Sequence, residues 1–320
     1  MFGTIAMMIF TENYFLPMWL FCFISPLINF VTVGDNINLT PKSAFAFAKD
    51  QRFVVPLYTY VIAETFVWIW ALLAMSDNVN VDKRWWLVKP KTASEYFVFL
   101  SIMGFFGSLN CVVGHELFHR KDRLSKCMGT WPYTKVMYSH FYDEHLKGHH
   151  KTIATVHDPA TALMGENAYY FMVKSFCGSH LNVWNYEAKM IRNKYGQDAS
   201  WWLHIALNKM TAYFIIHFSI MFGVYHIFGY SSFIYNVQYV LISLVFAELV
   251  NYIEHYGLLR KKDENGVYES VNKMHSWNYL SGAVLIRLQR HSDHHAHSFR
   301  PYQILRRFDD APYMPYEYLH

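Results

Sequence analysis

Five stretches of the chain, residues 5–33, 53–75, 96–117, 210–230 and 233–255, are almost wholly apolar over about 20 residues or more. A helix of about that length crosses about 30 Å of hydrocarbon, and a backbone inside lipid must satisfy its own polar groups. The expected fold is therefore an all-α polytopic membrane protein with about five transmembrane helices. Residues 229–232 leave room only for a tight turn, so the last two spans are expected to form an antiparallel hairpin. The hydrophobic share of 53% over 320 residues agrees with this reading. A mean hydropathy of only +0.06 then requires the polar residues to be gathered elsewhere.

They are gathered in 118–209 and 256–320, which hold most of the Lys and Arg and most of the 18 His. The positive-inside rule places that side in the cytoplasm or its topological equivalent. The loop with Lys83, Arg84, Lys89 and Lys91 then lies opposite, with Trp85 and Trp86 as interfacial anchors. Residues 125–142 are aromatic but contain Pro132 and two Lys, which predicts a surface or re-entrant segment and not a complete crossing. The first basic residue is Lys42, so the start resembles neither a secretory signal nor a transit peptide and is expected to stay as a membrane helix. The net charge of +4 gives no reason to expect nucleic-acid binding. Cys22, Cys111, Cys127 and Cys177 are widely spaced and read as reduced packing residues. No repeat or linker appears, so 1–320 is expected to be one membrane-embedded domain, with the first two membrane helices and their loops in 1–93 and the histidine-bearing remainder in 94–320.

The histidines of the polar segments are ordered. "HELFH" (115–119), "EHLKGHH" (144–150) and "RHSDHH" (290–295) place imidazoles three or four residues apart, which on a helix share a face. "NYIEHYG" (251–257) adds His255 at the end of an apolar helix. His115, His119, His145, His149, His150, His255, His291, His294 and His295 thus make a nine-residue metal-ligand set, too many for one ion and enough for two with open positions. His140, His180, His204, His217, His226, His275 and His320 read as ordinary structural or surface residues. Imidazole donors alone leave Zn, Cu, Fe and Ni open, but open coordination positions suited to O2 favour iron. The acids between the ligands, Glu116, Asp143, Glu144, Glu254 and Asp293, are expected to receive the ligands' other N–H groups.

"HELFHRK", "EHLKGHH", "NYIEHYGLLR" and "LQRHSDHHA" closely resemble the four signatures of the membrane-bound alkane hydroxylases, non-haem di-iron monooxygenases related more distantly to membrane desaturases. "HSWN" (275–278) and "RPYQILR" (300–306) extend the likeness, which runs from about residue 94 to 316. Simple desaturases share the histidine spacing but not the "HYG" and "LQRHSDHHA" wording. The resemblance implies that the nine histidines hold two non-haem irons, and that O2 and two electrons oxidise a terminal C–H of a hydrocarbon. A small rubredoxin or ferredoxin-like carrier with its reductase would supply the electrons. It also implies six crossings where five are read here. His157 stands where the family pattern has Glu; it is considered as a further ligand and set aside.

Glu64, Trp68 and Glu248 are candidates for a substrate channel, because an acid within a span is expensive unless it faces a cavity or a partner. Glu248, Asn251 and His255 share a helical face. Arg120, Lys121, Arg123, Arg260, Lys261 and Lys262 flank the metal motifs and offer a patch for an acidic carrier. Two other roles fit the same residues: a fatty-acyl desaturase or hydroxylase, and an accessory subunit of a larger membrane assembly.

Overall fold

A computed structural model describes residues 1–32, 37–279 and 286–314, and the regular structure among them is helical. The single span expected over 5–33 is instead two helices, α1 (Phe2–Thr11) and α2 (Phe15–Thr32). The break is local chemistry. Glu12 takes a left-handed φ of 51°, and the Asn13 side chain accepts the N–H groups of Phe15 and Leu16 at 2.9 and 3.0 Å. One helix is stopped there and the next is capped. Glu12 pairs with Lys91 at one end of the molecule, whereas Asn38, just past α2, donates to the Arg307 carbonyl at the other. α2 therefore carries the chain from one end to the other.

α3 (Pro41–Lys49) is a short helix capped by Thr40. α4 (Val55–Ala74) and α5 (Ala93–Phe118) follow, α5 starting at a reciprocal cap between Thr92 and Glu95. α6 (Arg123–Lys135), α7 (Phe141–Glu144), a π-helical turn (His145–His149) and α8 (His150–Thr152) make a compact arm. α9 (Ala168–Tyr195) and α10 (Trp201–Leu207) lead into the hairpin of α11 (Lys209–Phe228) and α12 (Tyr230–His255). α13 (His291–Ala296) is a short helix near the end of the described chain. Among the described residues α4, α5, α11 and α12 are long and apolar enough to cross a bilayer, and they match four of the five expected spans. The protein is an integral membrane protein on this ground. At 26 residues each, α5 and α12 measure about 39 Å, longer than the hydrocarbon core, so their last turns rise out of it. Both of those turns carry histidines.

The hairpin turn is set by Gly229, whose φ of 95° suits glycine, and a Cβ there would lie 2.8 Å from the Asp77 side chain. Asp77 in turn accepts the Ser231 N–H, tying the end of α4 to the turn. α5 is the central helix, packed by α4, α6 and α12. α6 crosses α5 where Gly114 faces Gly129; a Cβ on either would lie 2.5 or 2.7 Å from the other's carbonyl oxygen.

α6 begins at the histidine end, and Lys135, its last residue, is fully buried against Glu64 in the middle of α4. Met137, with φ of 58°, then turns the chain back, and His145 lies again at the histidine end. The arm is re-entrant, as expected for 125–142. Asn110 and Tyr239 also donate to Glu64, so α4, α5, α6 and α12 meet at one carboxylate.

Candidate metal centre

Four elements deliver the nine histidines to one place. α5 brings His115 and ends at His119; the re-entrant arm brings His145, His149 and His150; α12 brings His255; α13 brings His291, His294 and His295. The π-helical turn closes on the fifth residue, which brings the His150 ring edge-on to His145 and not merely His149, as an α-helix would.

His145 Nε2 lies 2.8 Å from His115 Nε2, 3.1 Å from His119 Nε2 and 2.9 Å from His150 Nε2. The His294 ring is 4.6 Å from His115 and 4.7 Å from His119. Beside this group the His149 ring lies 4.7 Å from His255 and 4.9 Å from His295, and His295 Nε2 lies 2.9 Å from His291 Nε2. The ligand atoms of His115, His119, His145 and His294 fall within 4.8 Å of one another, as do those of His149, His255 and His295 and those of Glu254, His255 and His291. The His150 ring sits between the lobes, 5.1 Å from His294 and 4.8 Å from His295.

Metal ions fit this donor set on two grounds. An imidazole nitrogen offers one proton or one lone pair, so His145 Nε2 cannot satisfy three neighbouring nitrogens by hydrogen bonding. Ligands about 2.1 Å from one ion at right angles would themselves stand about 3.0 Å apart, which is the spacing seen. In addition, His255 Nδ1, His291 Nδ1, His294 Nε2 and His295 Nδ1 are buried with no hydrogen-bond partner. Burial, helped by the neighbouring histidines, holds His119, His145, His291, His294 and His295 well below the usual imidazole pKa, and His150 is pushed down to about 3. Neutral rings keep the lone pairs that a cation needs.

The five acids expected beside the ligands divide. Glu254 lies 3.3 Å from His291 Nε2 and is placed to serve as a ligand itself. Glu116 accepts the Tyr302 N–H at 3.2 Å and lines a small cavity with His115 and His294. Asp293 points away from the ligands, to His297 Nδ1 at 2.8 Å, to Arg300 and to the Arg306 N–H; it ties down the chain after α13. Asp143 is held by Lys147, Lys209 and Tyr213. Burial raises its pKa, but those partners outweigh it and leave the carboxyl below its ordinary value. Glu144 accepts from Asn182 at 2.9 Å and burial pushes it up to about 7. Neither Asp143 nor Glu144 has a hydrogen bond to a ligand histidine among the described contacts.

Asp158 does have one, at 2.9 Å to His149 Nδ1, and was not singled out in the sequence. Its signal was an Asp-Pro turn: Asp158 also accepts the Ala160 N–H and the Thr161 hydroxyl, fixing the carboxylate beneath His149. The adjacent His157 is exposed and edges onto Tyr268 instead.

Beneath the histidines lies a cavity whose walls include His115, His145, His149, His255 and His291, with Glu248 and Asn251 lower down. Of the three channel candidates only Glu248 lines it. Glu64 is committed to Lys135, Asn110 and Tyr239, and the buried Trp68 indole donates to Asn236 at 2.8 Å; both belong to the helix packing. A second, apolar cavity opens between α4 and α5, lined by Leu57, Tyr60, Leu109 and Val113. It shares Val112 and Ile286 with the small cavity at His115 and His294.

Residues 94–320 match the family model described as fatty acid desaturase. The chain is 36% identical over 222 residues to an alkane 1-monooxygenase 1 of Pseudomonas aeruginosa, covering 68% of this chain and 57% of that protein. It is 35% identical over 289 residues to an alkane 1-monooxygenase of Ectopseudomonas oleovorans, covering 89% and 68%. The hydroxylase component of a xylene/toluene monooxygenase of Pseudomonas putida is 25% identical over 287 residues, covering 87% and 72%. The chain thus spans between somewhat over half and about three quarters of the length of the curated relatives it matches. With its histidines gathered at the ends of membrane helices, this chain belongs to the fatty acid desaturase family and, within it, to the alkane 1-monooxygenases.

Proposed function

We propose that the protein is a di-iron monooxygenase that inserts one atom of O2 into a C–H bond, terminal for preference, of a hydrocarbon or lipid-like chain. The observation that carries this reading is the convergence of nine imidazoles at the ends of α5 and α12, five of them lining one cavity. His115, His119, His145 and His294 would hold one iron and His149, His255, His291 and His295 the other, with His150 between them. Two irons, when bound, supply the binding and reductive activation of O2.

The chain's own residues do the rest. Asp158 fixes the His149 ring, and Glu254 stands beside His291. The apolar cavity between α4 and α5 offers a hydrocarbon a route from lipid toward His115 and His294. The cavity under the histidines is lined by carboxylates, Glu248 and Glu254, which disfavour a fatty-acid headgroup there and favour an uncharged chain. Arg120, Lys121, Arg123, Arg260, Lys261 and Lys262 surround this end and suit an acidic rubredoxin or ferredoxin-like carrier. We place this end in the cytoplasm or its equivalent.

Iron-loaded protein supplied with a carrier, its reductase and an alkane should give the terminal alcohol with label from 18O2. Product from acyl substrates alone, or a single zinc per chain, would overturn the reading.

A further inference from the structure

At the end of the molecule away from the histidines, the break between α1 and α2 and the loop from α4 to α5 enclose a cleft of about 450 Å³. Glu12 and Tyr14 line it from the break, Arg84, Lys89 and Lys91 from the loop, and Glu95 from α5. The loop is held in place: the Trp70 indole on α4 donates to the Trp86 carbonyl at 2.8 Å, and Leu87 is buried. Tyr14 is only 3% exposed, with its ring edge-on to Phe99 at 5.9 Å, and its hydroxyl has no hydrogen-bond partner. A buried phenol without an acceptor is costly, so an acceptor is expected in the cleft.

The charges around it are unevenly used. Lys91 pairs with Glu12 at 2.7 Å, and Glu95 accepts the N–H groups of Lys91 and Thr92 in the cap of α5. Arg84 stands over the Trp86 ring, and among the described residues neither Arg84 nor Lys89 has an ion pair. The five charged groups together carry one net positive charge. A single phosphodiester would cancel it, whereas a headgroup with its own ammonium would restore it.

The loop joins the ends of two spans, α4 at Ala74 and α5 at Ala93, which is the depth of lipid phosphates. Phe10 and Trp85 beside the cleft are both exposed, with ring centroids 6.3 Å apart, as aromatic side chains at that depth are. Ile9 and Val88 add apolar wall to the polar one. In the orientation proposed above, these cations also stand on the side that the positive-inside rule leaves poor in Lys and Arg. A bound anion gives them a reason to be there.

We infer that this cleft holds the phosphodiester of an anionic glycerophospholipid of the phosphatidylglycerol type, with Arg84 and Lys89 on the phosphate and the Tyr14 hydroxyl donating to one of its oxygens. Such a lipid would fasten the α1–α2 break to the α4–α5 loop. The inference is independent of the oxygenase reading.

The test titrates full-length protein in neutral detergent with dioleoylphosphatidylglycerol or dioleoylphosphatidylcholine and counts bound lipid by native mass spectrometry. One phosphatidylglycerol per chain should bind at least about 10-fold more tightly than phosphatidylcholine. Tyr14→Phe, which keeps the ring and its packing, should weaken that binding by about 10-fold. Arg84→Gln combined with Lys89→Gln should weaken it by about 10-fold or more. Lys42→Gln combined with Lys49→Gln removes the same charge from α3, which meets Gln303 at the histidine end. That pair should change the affinity by less than about 2-fold. Equal affinity for the two lipids, wild-type affinity in either cleft variant, or an equal loss in the α3 variant would overturn the site. Glycerophosphoglycerol, the same headgroup without acyl chains, should not displace the lipid when equimolar. Displacement would overturn the lipid assignment in favour of a soluble phosphodiester.

Discussion

Two buried polar clusters, both at or near the membrane, differ in how their charge is balanced. At Glu64 an ammonium, an amide N–H and a phenol all donate to one carboxylate, from Lys135, Asn110 and Tyr239, although Asn110 Oδ1 has no partner. At His145 several imidazole nitrogens converge without a shared proton to explain them. The first cluster is a joint between helices whose opposite charges pair within it. The second is a set of donors waiting on positive charge. Burial of polar groups does not by itself mark a functional centre; a surplus of donors of one kind does.

The comparison is broken most severely at His145. His145→Ala should lower iron per chain and reduce hydroxylation by at least about 100-fold, read by metal analysis and product formation, while the fold persists. An equal loss of iron in Lys135→Met would show that the two clusters are not separate. The expected result for Lys135→Met is a loss of about 3–5 kcal/mol in unfolding stability, because it leaves Glu64 charged and unpaired. Glu64→Gln combined with Lys135→Met should recover much of that loss. Asp158→Asn should weaken iron binding by about 10- to 100-fold by releasing the His149 ring.

Acid should separate the clusters more gently. His150 titrates near 3 when folded and near 6.5 when unfolded. In metal-free protein the unfolded chain therefore binds protons that the folded chain refuses. That part of the stability is present above about 6.5 and falls as the pH drops from there toward 3, as circular dichroism melts should show. His157→Ala is the smallest change: iron content and unfolding should both match the parent protein, since the ring is exposed and off the cluster.

The spans and the convergence of the clustered histidines were legible because both rest on short-range pattern. Apolar length identifies α4, α5, α11 and α12, and three- and four-residue spacings pick out the histidines that meet. The break at Glu12 and Asn13 was also written in the chain, as a polar pair and a capping residue inside an apolar stretch, but total length concealed it. What the pattern does not carry is direction. Asp143, Glu144 and Asp293 neighbour ligands in sequence yet turn to Lys147, Asn182 and Arg300, whereas Asp158 reaches His149 because an Asp-Pro turn folds it underneath. Lys135 reads as a reason to keep α6 out of the membrane; only its meeting with Glu64, 71 residues earlier, makes its depth tolerable. Such choices are settled by tertiary packing that no local window contains.

The order of the nine histidines along the chain has a consequence for metal affinity. Six of the nine, His115 through His255, precede α13 in the chain, and the other three lie on α13. The lobe that His294 joins and the lobe that His295 joins are both open until α13 docks. A metal held by these lobes would therefore bind best to chains in which α13 has docked on the earlier helices, coupling its affinity to correct packing.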